Sequence, residues 1–492
     1  MPPETPSTPR RALLLPGLAL ATTVLHLLFA HRYGYFRDEL YFIACGQRLD
    51  WGYVDQPPLI AAAARLATAL FGQSLTGLRL LPALAAGGLV ALTGHLARRF
   101  GGGSFAVGLA ALPAALAPLY LFQGHTLTMN AFEPLLWTGC VALWVRLVRT
   151  EQPRLWLALG ALAGVGLLNK YSMAFFAVCL VLGILLTPAR TLLASRWLVL
   201  GMLLACALVL PNLLWQHHHG WPMLELLRNG QLYKNTPFQL SEFLRGQLLI
   251  LNPLSVPLSL AGLGFLLFAP AGRPYRALGF TYLLLFGLLV FLRAKDYYLG
   301  PAYPMLLAAG AVYAERFLQR PLARAAVLVP GVVGFAAFVP LTLPVLPVDT
   351  FISYQRALGI TSPQHERHEY GVLPQHYADQ HGWEELVASV AEVYRRLPPE
   401  TRARTALFAQ NYGQAGALDW LGRARGLPPR ARATTTTTSG VPARSRSMSS
   451  WWVAASRTSS HCASEPSSPR TCRPTPMSCP TRTTCRSTCA RG

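Results

Sequence analysis

The chain has 492 residues, of which 52% are hydrophobic and only 13% charged, and its mean hydropathy is +0.34. Soluble domains carry about 25% charged residues, so most of this surface must face lipid, which excludes a single soluble domain, a fibrous protein and a disulfide scaffold. The formal charge of +22 is unevenly spread: residues 430–492 hold ten Arg and one Glu, leaving +13 for the rest, mostly in short Arg-bearing loops. That pattern sets membrane topology rather than nucleic-acid binding, and no basic stripe with interleaved aromatics argues otherwise.

Against a span of about 20 residues, apolar runs fall near 12–30, 78–97, 104–122, 131–147, 155–169, 171–188, 197–214, 246–269, 277–292, 297–314 and 325–343. These eleven candidates predict a mainly α, polytopic helix bundle. Arg10/Arg11, Arg98/Arg99, Arg146/Arg149/Arg154, Arg190/Arg196, Arg273/Arg276 and Arg316/Arg320/Arg324 occupy every second connection. The positive-inside rule therefore puts the amino terminus in the cytoplasm. It puts 31–77, 123–130, the Lys170-Tyr171 junction, 215–245, 293–296 and everything after about 344 on the other face of the plasma (inner) membrane. The first run reads as a retained anchor, because no small-x-small cleavage site precedes His31-Arg32. Runs 155–169 and 171–188 are short enough to form one kinked re-entrant unit. Neither an internal repeat nor an inverted pair of broken helices is visible.

Residues 1–344 thus form the membrane domain, and 345–429 a small extracytoplasmic α/β domain with a helix from Trp383 to Leu397 and a buried strand from Thr405 to Tyr412. Residues 430–492 contain 13 Ser and 12 Thr but no Leu, Ile, Phe, Tyr, Lys or Asp. Such a tail cannot bury a core. It reads either as a disordered tail or as translation in a shifted frame, which sequencing the DNA across codons 425–435 distinguishes. Cys45, Cys140, Cys179 and Cys206 lie in or beside apolar runs as small hydrophobes. Cys462, Cys472, Cys479, Cys485 and Cys489 sit in the tail without a CxxC pair, so neither a zinc site nor a disulfide is expected.

The first external loop carries Asp38, Glu39 and Asp55 in a chain poor in acid. Ionisable groups near membrane depth suggest function. Asp38, if it ends the first span, could accept a proton from a hydroxyl in a surface cavity; the bland alternative is a solvated loop with an N-cap Asp. Arg293, Lys295, Tyr297 and Tyr298 open the tenth run, and Lys170-Tyr171 repeats the cation–phenol pairing on the same face. Such groups suit an anionic lipid head group, although a snorkelling cation with an aromatic belt looks the same. His217, His218 and His219 could join Asp55 or Glu39 at a metal, but adjacent helical residues do not face one point. A divalent metal is thus left open, and no Walker loop, GxGxxG or Ser-His-Asp set appears.

The Asp-Glu pair after the first span, the Asp-x-Pro-Pro element at 55–58, the Lys170-Tyr171 junction and Lys295-Asp296-Tyr297-Tyr298-Leu299-Gly300-Pro301-Ala302-Tyr303-Pro304 resemble the dolichyl-phosphate-mannose-protein mannosyltransferase-like glycosyltransferases. These belong to glycosyltransferase family 39 in the GT-C superfamily, which includes the lipid A aminoarabinose transferases. The resemblance covers roughly residues 12–429. It implies an inverting transferase moving a hexose or pentose from a polyprenyl-phosphate donor to a cell-envelope lipid, glycan or protein on the extracytoplasmic face. By this likeness Asp38 is the catalytic base, Glu39 completes its signature, Asp55 lines the donor site, and Lys295 with Tyr297 or Tyr298 meets the lipid phosphate. By charge alone, Lys295, Lys170 or Arg293 would stabilise the departing phosphate. Two departures stand out: Gln56 replaces a typical Lys, and Asn130 stands where many members have a second Asp, with Glu133 a candidate substitute. The segment Gln410-Asn411-Tyr412-Gly413-Gln414-Ala415-Gly416-Ala417 resembles a C-terminal extension of bacterial members. A transporter or flippase for a lipid-linked substrate is the competing class; it would keep its ionisable groups near mid-span.

Overall fold

The computed structural model describes residues 9–230, 232, 237–359, 371–428 and 432–433. Apart from Arg432 and Ala433, the expected tail lies outside the described residues. The membrane body runs α1 (Pro9–Phe29), α2 (Arg37–Gly46), α3 (Leu59–Phe71), α4 (Leu75–Arg99), α5 (Ser104–Leu116), α6 (Pro118–His125), α7 (Met129–Thr150), α8 (Leu155–Asn169) and α9 (Ser172–Leu185). It continues through α10 (Arg196–His218), α11 (Pro222–Asn229), α12 (Leu240–Leu251), α13 (Ser255–Phe268), α14 (Arg276–Phe291), a 3-10 turn (Asp296–Ala302), α15 (Tyr303–Phe317) and α16 (Pro321–Phe338). Every predicted apolar run coincides with one of these helices or with a bent pair of them. Composition marked neither α2 nor α3, because α2 is mixed in polarity and α3 has only 13 residues.

Among the described residues five helices are long and apolar enough to cross a membrane unaided, or seven if each sharply bent pair counts as one span. Leu13–Phe29, Leu59–Phe71, Leu155–Asn169 and Ser172–Leu185 are shorter apolar helices. The two bends have local causes. The α5–α6 break of 60° falls at Ala117, whose extended backbone (ψ 139°) is what the following Pro118 demands. The α12–α13 break of 103° falls at Asn252-Pro253, where Asn252 has φ 71° and its side-chain carbonyl accepts from Leu254 N at 3.0 Å.

Small residues set the closest crossings, as in membrane bundles generally. Gly160 of α8 lies against the backbone of Gly201 in α10, and Gly262 of α13 against that of Leu306 in α15. A large apolar core fills the bundle, with Trp137 stacked on Phe176 at 4.7 Å. Leu203, Leu322 and Val333 on the outer faces of α10 and α16 remain exposed, as lipid-facing side chains would.

The C-terminal segment holds α17 (Val348–Ala357), α18 (Gln375–Ala378), α19 (Trp383–Arg396), α20 (Pro399–Arg404) and α21 (Tyr412–Trp420). The expected helix is present. The expected strand shrinks to β1 (Phe408–Ala409), parallel to β2 (Arg432–Ala433). The segment packs on α2: Leu40 shares a buried cluster with Val387, Ala391 and Leu418. A Cβ on Gly416 would sit 2.7 Å from the Leu40 carbonyl, so only glycine allows this seating.

Candidate active site

Asp38 and Glu39 occupy the first turn of α2, where unpaired backbone amides favour carboxylates. One helical step turns them to different sides. Glu39 is fully buried. Its Oε2 accepts from Phe36 N at 2.8 Å and Arg79 Nη2 at 2.9 Å, and its Oε1 from Arg79 Nε at 3.0 Å and Leu127 N at 2.9 Å. Arg79 also donates to the carbonyls of Ala30 (2.9 Å) and Gly34 (2.8 Å). This bidentate pair ties α2, the 30–36 loop, α4 and the 126–128 loop together. Its lone pairs are committed to protein donors, so the geometry gives Glu39 no free face toward a ligand.

Asp38 stays accessible, with 30% of its side chain exposed. Its Oδ1 accepts from the Tyr412 hydroxyl at 2.9 Å, and Arg37 Nε lies 3.5 Å away. Arg37 also sits 5.4 Å from the Tyr412 ring and 3.3 Å from Asp379 Oδ2. Asp55, in the loop before α3, accepts from the Tyr41 hydroxyl at 2.6 Å, and the Tyr41 and Tyr412 rings meet at 5.0 Å. Burial, reinforced by the Asp38 charge, holds the Tyr412 hydroxyl well above the ordinary tyrosine range. Burial and then Asp55 do the same to Tyr41. Both phenols therefore remain donors at neutral pH. The charge of Asp55 also reaches Tyr412, so the two acids share one polar cluster.

Across from it stands the Lys-Tyr junction. Lys170 Nζ donates to Glu133 Oε2 at 2.7 Å and Asn130 Oδ1 at 2.8 Å, and lies 4.4 Å from the Tyr298 ring and 5.6 Å from that of Tyr297. Ser172 bonds the other Glu133 oxygen. Asn130 and Glu133, one helical turn apart on the same face of α7, thus hold the same ammonium. Tyr171 is turned aside: its hydroxyl donates to Asn212 Oδ1 at 2.7 Å, and Asn212 Nδ2 donates to the Trp51 carbonyl at 2.8 Å.

Arg293 is exposed, with φ 53°, and Lys295 half-buried. Among the described residues neither cation has a side-chain partner. Gln56 is fully buried and points at Cys45 Sγ, 3.6 Å away. The three histidines do not converge: His219 stacks on Trp215 at 4.0 Å while His217 faces Trp221 at 6.3 Å. Among the described residues no three His, Cys, Asp or Glu side chains gather as metal ligands.

The sequence model described as dolichyl-phosphate-mannose-protein mannosyltransferase matches residues 55–215. Lipid A galacturonosyltransferase RgtD of Rhizobium johnstonii is 30% identical over 192 residues, which cover 38% of this chain and 39% of that protein. The chain therefore matches about two fifths of the length of that curated relative. ArnT from Cupriavidus metallidurans bound to undecaprenyl phosphate superposes with a TM-score of 0.60 at 16% identity, over 87% of each chain. The chain therefore shares the fold of this solved structure. Its apo ArnT counterpart gives a TM-score of 0.57 at 16% identity, over 86% of this chain and 85% of that one.

Sequence reasoning did not single out Arg79, Arg37, Tyr41 or Tyr412 in this site. Arg79 carried a usable signal, since a lone cation inside an apolar run demands a partner. The other three carry none until α21 is seated on α2.

Proposed function

We propose that this chain is a plasma-membrane glycosyltransferase that moves a sugar from a polyprenyl-phosphate donor to a cell-envelope acceptor, with inversion, on the extracytoplasmic face. What carries the reading is the accessible Asp38 carboxylate in the first turn of α2, in a bundle that also holds the Lys170 cation against the Tyr297 and Tyr298 rings. In this reading the acceptor hydroxyl oxygen attacks the anomeric carbon, the bond from that carbon to the phosphate oxygen breaks, and the hydroxyl proton passes to Asp38. Polyprenyl phosphate leaves, its charge met by Lys295, Arg293 and Lys170 with the Tyr297 and Tyr298 phenols beside them. In-line geometry inverts the centre. Asp55 lines the donor side, Tyr171 buttresses the Lys170 junction, and Glu39 acts by positioning α2 rather than by touching substrate.

Undecaprenyl phosphate bound to the structurally similar ArnT supports a polyprenyl-phosphate donor, and the lipid A galacturonosyltransferase relative supports a lipid acceptor. The Arg-bearing alternate loops support the face. Against a transporter stands the position of the acids, at the start of α2 and in a loop rather than at mid-span.

Polyprenyl-phosphate-linked sugars extracted from the native host, incubated with purified enzyme and host envelope lipid, give the assay, read by lipid mass spectrometry. Asp38→Asn is expected to lower turnover by about 10²–10⁴-fold while undecaprenyl phosphate still binds. Retained turnover in that variant removes Asp38 from its role. A wild-type protein that transfers nothing but carries the lipid-linked sugar across vesicles favours the transporter.

A further inference from the structure

We infer that Tyr412, delivered by the C-terminal segment, is a positioning residue for the Asp38 carboxylate, so that α21 is part of the catalytic apparatus rather than an appended domain. The inference rests on the reading of Asp38 as base. Four observations carry it. The Tyr412 hydroxyl donates to Asp38 Oδ1 at 2.9 Å, leaving Oδ2 as the oxygen free to take a proton. The ring is held on both sides, by the Arg37 guanidinium at 5.4 Å and the Tyr41 ring at 5.0 Å. Tyr41 in turn donates to Asp55 at 2.6 Å, so one aromatic pair spaces the two acids.

The fourth observation is that the backbone behind Tyr412 is fixed. Asn411 caps α21 by accepting from Gln414 N at 2.9 Å, and Gln414 Oε1 accepts from Gln410 N at 3.1 Å. A Cβ on Gly413 would strike the Arg37 side chain, and one on Gly416 the Leu40 backbone, so α21 is seated on α2 in a single register. A phenol that merely glued two helices would satisfy any nearby acceptor. This one is aimed at the accessible carboxylate and kept protonated by burial and by that carboxylate's own charge. Such a donor selects one carboxylate rotamer and so fixes which oxygen is left to take a proton.

The test is Tyr412→Phe, which removes one oxygen and keeps the ring packing, assayed with the host lipid extract and with undecaprenyl phosphate as binding probe. The expected result is a 10–100-fold fall in apparent kcat, undecaprenyl phosphate affinity within twofold of wild type, and an acidic limb of the pH–rate profile moved to higher pH. A purely structural role lowers the melting temperature and leaves the pH profile in place, which overturns the inference. Should the phenylalanine variant not fold, 3-fluorotyrosine at 412 preserves the shape and alters only the hydroxyl's acidity; an unmoved acidic limb then overturns it. Asp38→Asn run in parallel separates the two claims: turnover retained there sinks the base assignment and the inference with it. An inactive Asp38→Asn beside a wild-type-like Tyr412→Phe sinks the inference alone.

Discussion

Asp38 and Glu39 are neighbours with opposite fates, because successive residues on a helix point about 100° apart. Glu39 turns inward to Arg79, and a buried ion pair broken on one side leaves an uncompensated charge worth about 3–5 kcal/mol. Arg79→Met is therefore expected to lower the melting temperature in detergent sharply, and Glu39→Gln with Arg79→Met to recover part of the loss. No change in the single variant would mean that Glu39 finds water. Lys295 is the opposite case, a cation with no protein partner among the described residues. Its loss should weaken undecaprenyl phosphate binding about tenfold, the worth of one charge-assisted hydrogen bond, without altering the melting temperature. Unchanged affinity would make it a snorkelling side chain. The Asp-Glu dipeptide was legible from the sequence, but its division of labour was not, since Arg79 lies 40 residues along the chain.

Helix boundaries in the membrane body were largely written in the local sequence, because prolines, Arg-bearing turns and apolar length act over a few residues. Pro118 and Pro253 were visible as residues, yet the angles they impose were not, since those depend on what packs behind. Contacts between helices were the least legible. Nothing distinguishes Gly201 from Gly287 along the chain, but only Gly201 faces a neighbouring backbone, that of Trp156 in α8, while a Cβ on Gly287 meets open space. Gly201→Leu should accordingly force α8 and α10 apart and destabilise the protein by about 1–3 kcal/mol or more, and Gly287→Leu should be neutral. Equal melting temperatures for the two variants would show that the α8–α10 crossing is not tight.

At the scale of the molecule, the C-terminal segment is bolted to the start of α2 and the loop before it: Trp383 Nε1 donates to the Tyr35 carbonyl at 2.9 Å, and Arg37 N to the Asp379 carbonyl at 3.0 Å. His376 adds a pH-sensitive fastening, sharing a hydrogen bond with the Leu341 carbonyl at 2.9 Å. Burial lowers its pKa from 6.5 to about 4, outweighing that bond. The unfolded chain therefore takes up the proton first, so this contribution is full above pH 6.5 and drains away as the pH falls toward 4. The melting temperature of wild type relative to His376→Asn should fall across that window; a constant difference would place the imidazole in solvent. Composition announced a polar C-terminal region, but not that it would close over α2, because that contact joins residues more than 370 positions apart.

The seating of Tyr412 on Asp38 also imposes an order of events on biosynthesis. Asp38 is made early, whereas the helix that completes its surroundings emerges only after the apolar helices of the bundle have left the ribosome. Polypeptides halted before α21 would insert into the bilayer with Asp38 still lacking its phenol donor, so the site is completed only when the chain is nearly whole.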